Sequence, residues 1–125
     1  MTDPTDLIDR YIAMWNETNG ARRRALIARI WTDGASYVDP AIKGDGPAGI
    51  DAMVAGVQAR FPGHRFRRVG PVDAHNGHVR FAWHLAPDGG PALATGVDFG
   101  VVSPDGRLAS ITGFFDHVAA APQQA

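Results

Sequence analysis

The sequence predicts an α+β fold, with helices gathered in the first half and a long antiparallel meander after them. Three observations carry this. Apolar residues recur at helical spacing through Phe61. From His64 onward the pattern changes to strand-like alternation. Turn signals at Asn76-Gly77, Pro87-Asp88-Gly89-Gly90-Pro91 and Pro104-Asp105-Gly106 then divide that region into strands. Helices first and strands afterwards argue for helices packed on one face of a sheet.

Each element has its own signals. A first helix starts at a cap on Thr2 or Thr5 and runs to about Glu17. Leu7, Ile8, Tyr11, Ile12, Met14 and Trp15 form its apolar stripe, and Asn19-Gly20 ends it. A second helix over residues 21–31 turns Leu26, Ile27, Ile30 and Trp31 inward. Asp33-Gly34 reads as a turn and residues 35–39 as a short strand. Lys43-Gly44-Asp45-Gly46-Pro47 reads as a loop, with Pro47 suited to opening a third helix. Ile50, Met53, Val54, Val57 and Phe61 share one face of that helix, and Pro62-Gly63 stops it. Strands follow over residues 64–75, 78–86, 92–103 and 107–118, with Pro71 marking an edge or bulge in the first. Gly96, Gly100 and Gly113 interrupt strand patterns, where glycine marks a bend or room for a ligand. Residues 119–125 are expected to fray.

Composition narrows the functions open to such a chain. Its 125 residues fit one domain, residues 1–125, without repeats or a linker. A net charge of -1 gives no electrostatic case for nucleic acid or an anionic membrane. The run Arg22-Arg23-Arg24, with Arg29 nearby, reads as a solvated helix face. There are no cysteines, which excludes disulfides, thiolate nucleophiles and cysteine-ligated metals. His64, His75, His78, His84 and His117 show no metal-binding spacing, so no metal and no cofactor is expected. His78, Arg80 and His84 share a strand face opposite Val79, Phe81, Trp83 and Leu85, and belong outside. With neither a signal peptide nor a membrane-length apolar run, a cytoplasmic location is expected.

The most informative stretch for chemistry is Tyr37-Val38-Asp39-Pro40. Alternation puts Tyr37 and Asp39 on one strand face, and Pro40 pushes Asp39 towards extended backbone. A carboxylate delivered at a strand end is the best catalytic candidate here, and Asp-Pro is equally a common turn starter.

The order of elements and these residues together resemble the NTF2-like, or SnoaL-like, superfamily. The resemblance spans about residues 6–116. It is carried by residues 9–16 (Asp9 to Asn16), Tyr37-Val38-Asp39-Pro40, the Gly44 to Ile50 entry into the third helix, Thr95-Gly96-Val97-Asp98-Phe99, Asp105-Gly106-Arg107-Leu108 and Ile111-Thr112-Gly113-Phe114-Phe115-Asp116. It implies a cone-shaped fold, three N-terminal helices on a strongly curved, mainly antiparallel sheet, and a homodimer as the usual state. Chemical positions are closest to the ketosteroid isomerases. That resemblance makes Asp39 the base, with Tyr11 and a neutral Asp98 as donors to an enolate oxygen. It implies a small hydrophobic carbonyl ligand, held by Trp15, Tyr37, Met53, Val57, Phe81, Trp83 and Phe115, with Phe99 a further wall. The reaction would be isomerisation or cyclisation. A ligand-binding or dimerisation module without chemistry is the alternative reading. Alternation alone groups Asp98 with Gly100 and Val102 on the solvent side, against the more apolar Val97, Phe99 and Val101. Gly100, Lys43, Asp45 and Trp15 depart from the isomerase pattern at the pocket and its entrance.

Overall fold

The computed structural model describes residues 3–119. Three helices, α1 (Pro4–Asn16), α2 (Gly20–Ile30) and α3 (Gly46–Arg60), pack on a six-stranded sheet. The strands are β1 (Trp31–Val38), β2 (Lys43–Asp45), β3 (His64–His75), β4 (His78–Pro87), β5 (Ala94–Val102) and β6 (Leu108–Val118). Their order is β2-β1-β6-β5-β4-β3. All pairings are antiparallel except β1 with β6. The sheet is curved and open rather than closed into a barrel.

The local chemistry explains most boundaries. Asp3 caps α1, its carboxylate accepting from the Thr5 backbone N–H at 2.8 Å. Thr5 therefore lies inside the first turn instead of capping it. Proline fits the first helical positions because its missing N–H has no partner there, so the cap falls on the residue before Pro4. Asn19 caps α2 in the same way, accepting from Arg22 N–H at 3.0 Å. Trp31, expected at the end of α2, instead opens β1 with extended backbone. Asp33-Gly34 forms no turn, because β1 runs through it. The β1–β6 register shifts between Trp31 and Ser36, and the bulge takes up the two residues. Lys43 to Asp45, read as loop, forms the short edge strand β2 against β1. Gly70 (φ +76°) and Pro71 fall inside the register shift between Val69 and Asp73, on edge strand β3. Asn76 (φ 49°) and Gly77 (φ 74°) make a two-residue turn with both residues left-handed, the twist a hairpin favours.

The core lies between α1, α3 and the concave sheet face. Tyr11, Trp31 and Phe81 meet at its centre, with ring centroids 5.6–5.8 Å from Tyr11. The arginine run departs from the solvated-face expectation at its middle residue. Arg22 and Arg24 are exposed, whereas Arg23 is 5 % exposed. Its Nε donates to Asp51 Oδ1 at 2.6 Å, and Nη1 donates to Glu17 O and Gln58 Oε1. One buried guanidinium thus ties α2 to α3 and to the end of α1 through its Nε and Nη1 donors. Among the described residues, no helix is long and apolar enough to cross a membrane.

Candidate functional site

A cavity of about 870 Å³ opens between α3, the end of α1 and the concave face of the sheet. That lies within the roughly 300–1,000 Å³ usual for small-molecule sites. Tyr11, Trp15, Tyr37, Met53, Trp83, Leu85, Ala94 and Asp98 are its buried lining. Ala41, Lys43, Ala52, Gly56, Arg60 and Val118 are lining residues that remain exposed, and they mark the mouth. The walls are mainly apolar, with Asp39 and Asp98 the carboxylic acids among them.

Asp98 is 2 % exposed, the most deeply buried charged residue among the described residues, with Arg23 next at 5 %. Alternation had grouped it with the solvent side, and the opposite holds. Ala94, Gly96, Asp98 and Gly100 face inward, while Phe99 and Val101 are exposed on the convex face. Phe99 is therefore not a cavity wall. The physical reason is curvature: the inside of a tightly bent sheet has little room, so the bulk of β5 points out. A Cβ on Gly96 would lie 2.5 Å from the Trp83 ring, and one on Gly100 2.7 Å from Ile111 Cδ1. Glycines on the same face as Asp98 were the sequence signal that this side is concave.

Both carboxyl oxygens of Asp98 are held. The Tyr11 hydroxyl donates to Oδ2 at 2.8 Å, and the Trp83 indole N–H donates to Oδ1 at 2.9 Å. Trp83 reaches this position because its cross-strand partner is Gly96, over which the indole lies. Burial raises the Asp98 pKa to about 7, with the two hydrogen bonds opposing and the Asp39 charge adding to the rise. Tyr11 is pushed well above the usual tyrosine range, first by burial and then by Asp98. Tyr37 moves the same way, by burial and then by both carboxylates.

Asp39 makes the turn read from the sequence and also lines the cavity. Its Oδ1 accepts from the Ala41 and Ile42 backbone N–H groups at 2.8 and 2.9 Å, and its own N–H donates to Ile42 O at 2.9 Å. That is an Asx-type turn after Pro40. Its Oδ2 accepts from the Tyr37 hydroxyl at 2.6 Å, and the residue lines the cavity. A carboxylate has about four lone-pair positions. With two taken on Oδ1 and one on Oδ2, the position left open is on Oδ2.

Gly113 of β6 shows how closely these groups gather. A Cβ there would lie 2.9 Å from Asp98 Oδ1, 3.1 Å from Asp39 Cβ and 3.2 Å from the Tyr37 hydroxyl. Trp15, Tyr37, Met53, Val57, Trp83 and Phe115 all line the cavity. Phe81 does not: it lies beneath Tyr11, edge-on at 5.6 Å, and supports that ring from the core. Hydrogen bonding by Trp83 and Tyr37 went unread in the sequence, as did the lining residues Ile12, Ile42, Phe66 and Leu93. Tyr37 shares a strand face with Asp39 and was within reach of sequence reasoning. Trp83 depends on strand register. Among the described residues, no three His, Cys, Asp or Glu side chains cluster as a metal site.

The architecture defines a cone-shaped NTF2-like protein with a lined cavity. A "putative isomerase of the SnoaL-like family" from Agrobacterium tumefaciens is 37 % identical over 94 % of this chain and 100 % of its own, with a TM-score of 0.88. The chain belongs to the SnoaL-like family. A SnoaL-like protein of unknown function from Burkholderia thailandensis shares the fold at 16 % identity, covering 94 % of this chain and 99 % of its own (TM-score 0.71). So does a "putative SnoaL-like polyketide cyclase" from Jannaschia at 19 % identity, covering 98 % and 99 % (TM-score 0.68). No protein-family model and no curated protein matches the chain.

Proposed function

We propose that this protein binds a small hydrophobic carbonyl compound in the cavity and moves a proton next to the carbonyl, in an isomerisation or an aldol-type cyclisation. The observation that carries the reading is the pairing of two carboxyl groups with different surroundings around Gly113. Asp98 is dry and its pKa is raised to about 7, whereas Asp39 is held by three hydrogen bonds at the cavity wall. A dry carboxyl with a raised pKa beside a second carboxyl held by hydrogen bonds at the cavity wall suits the two groups to different roles.

In this reading Asp39 Oδ2 takes the proton from the carbon beside the carbonyl and returns it elsewhere on the conjugated system. The enolate oxygen sits by Tyr11. When Asp98 is neutral it donates to the Tyr11 oxygen across the 2.8 Å contact, and the Tyr11 hydroxyl turns its own proton to the ligand. The resemblance suggested two direct donors. The bond between Tyr11 and Asp98 favours a chain in which Asp98 acts through Tyr11. A "putative isomerase" as a 37 % identical relative supports proton-transfer chemistry. The test is ultraviolet absorbance with a β,γ-unsaturated ketone. Asp39→Asn should slow conversion by about 10²-fold or more. Equal rates would remove Asp39 as the base and leave the same cavity as a binding module.

A homodimer is the proposed assembly. Val38, Phe99, Val101 and Phe114 expose 40–51 % of their surface on the convex face, on strands β1, β5 and β6 that lie side by side. Phe99 and Phe114 pack edge-on at 5.8 Å within this patch. Contiguous exposed apolar surface marks an interaction site. Sedimentation of the wild type and of Phe114→Lys tests it: a dimer that the charge dissociates is expected, and a monomeric wild type would end the proposal.

A further inference from the structure

Trp83 and Tyr11 hold different oxygens of Asp98, and the chemistry of the indole constrains the acid. An indole N–H donates and never accepts. The ring has little freedom to move. It belongs to a residue 5 % exposed, packs against Phe66 and Phe115 with centroids 5.6 and 6.0 Å away, and lies over Gly96, where an added Cβ would come within 2.5 Å of it. Asp98 stands opposite Phe81 in the β4–β5 register, so the indole reaches it diagonally from the Trp83–Gly96 pair. Among the described residues, Trp83 and Tyr11 are the side-chain hydrogen-bond partners of the Asp98 carboxyl. A neutral carboxyl carries one proton, on either oxygen. On Oδ1 that proton would face the Trp83 N–H, donor against donor, and find no acceptor. On Oδ2 it meets the Tyr11 oxygen at 2.8 Å, while Oδ1 stays an acceptor for Trp83 at 2.9 Å. The second arrangement leaves no buried donor unused, and an unused buried donor is costly. The titratable groups that face Asp98 are Tyr11 from α1, Tyr37 from β1 and Asp39 from the turn after it; β4 contributes Trp83 and β6 contributes Gly113. Both tyrosines are held above their usual range, so neither ionises while Asp98 titrates at about 7.

We propose that Trp83 is a positioning residue, whose N–H keeps Oδ1 an acceptor and so confines the proton of neutral Asp98 to Oδ2, the oxygen that faces Tyr11. The inference deepens the proton-transfer reading of this cavity and rests on it for the use made of Tyr11. With the Asp98 proton on Oδ2, the Tyr11 oxygen accepts it, and the Tyr11 hydroxyl is free to donate to a ligand carbonyl. Without the indole N–H the carboxyl protonates on either oxygen, and Tyr11 is drawn back to donate to Asp98. Loss of the N–H also removes a donor that favours the ionised acid, so Asp98 would hold its proton to higher pH.

Two variants remove the N–H. Trp83→Phe shortens the ring system, whereas benzothienylalanine at position 83, the sulfur isostere of tryptophan, keeps its volume. The carbonyl stretch of neutral Asp98 is read at pH 5 by infrared difference spectroscopy against Asp98→Asn. A carbonyl that accepts a hydrogen bond absorbs at lower wavenumber than a free one. If Oδ1 is the carbonyl oxygen, removing its donor should move the band to higher wavenumber in both variants. The pH at which the band disappears should rise by about one pH unit or more. At pH 6, conversion of the β,γ-unsaturated ketone should lose about tenfold or more in kcat, with KM within about threefold of wild type. The isostere preserves the packing, so its results stand even where Trp83→Phe loses stability. A band that stays in place without the N–H would put the proton on Oδ1 and overturn the inference. So would a wild type without the band at pH 5, in which the folded acid is ionised, and so would an unchanged kcat in the isostere. A wild type that converts no ketone would end the proton-transfer reading, while the infrared band would still decide which oxygen carries the proton.

Discussion

Asp98→Asn should stabilise this protein, and the gain should grow with pH. Asp98 is 2 % exposed, and burial moves its carboxyl from 3.8 to about 7. Below the lower value the acid is neutral in both states and contributes nothing to pH dependence. Between the two values the unfolded chain loses the proton while the folded chain keeps it. The folded state then binds more protons, so stability falls as pH rises, and it levels off above about 7. Each pKa unit corresponds to about 1.4 kcal/mol, so the two units between pH 5 and pH 7 amount to about 2.7 kcal/mol. Asparagine removes this penalty without orphaning its neighbours. Its carbonyl oxygen accepts from the Trp83 N–H, and its amide donates to the Tyr11 oxygen. Urea unfolding of both proteins, followed by tryptophan fluorescence at pH 5, 6, 7 and 8, measures the difference. The variant's advantage over wild type should widen by about 2–3 kcal/mol across that range. A difference that stays constant with pH would refute the reasoning, because it would mean that Asp98 is ionised in the folded protein throughout.

Other predictions follow from the same contacts. If neutral Asp98 supports the Tyr11 donor, ketone turnover should decline as pH rises through about 7; a rate unchanged between pH 6 and pH 9 would remove Asp98 from that role. Gly113→Ala forces a methyl to within 2.9 Å of Asp98 Oδ1, and should cost about 1–3 kcal/mol by thermal melting while suppressing turnover. Arg23→Ala leaves Asp51 without its 2.6 Å partner beneath the helices, and should lower stability in urea by about 2–4 kcal/mol. Arg22→Ala, an exposed neighbour, should stay within about 0.5 kcal/mol of wild type.

Much of the fold was legible because its signals are local. The stripe through Leu7, Ile8, Tyr11, Met14 and Trp15 is the buried face of α1, and Asn76-Gly77 is the hairpin turn read from two residues. Errors arose where a local signal had more than one outcome. Asp33-Gly34 has turn composition, yet a bulge absorbs it within β1. Trp31 fits the helical stripe of α2 and equally the first position of a buried strand. Arg23 sits in a charged run, and only the partners Asp51 and Gln58 from α3 explain its burial. The candidate site was legible as residue types at matching positions, with Asp39 marked by its strand end. Phe81 was misread because the inner face of β4 serves both cavity and core, and alternation does not say which.

The order of elements, the helix faces, the hairpin turns and the alternation of β4 are written in the chain, since each depends on residues within a turn or two of one another. Which side of β5 is inside was set by the folding of the whole sheet. Alternation yields two faces and no sign; the bend of the sheet, permitted by Gly96 and Gly100, puts Asp98 on the concave one. It also decided that Tyr11 and Asp98, 87 positions apart, share a hydrogen bond, and that Asp39 lies beside them across Gly113. Separations of that length are set by strand register and sheet curvature, which are properties of the whole sheet and are written in no single segment.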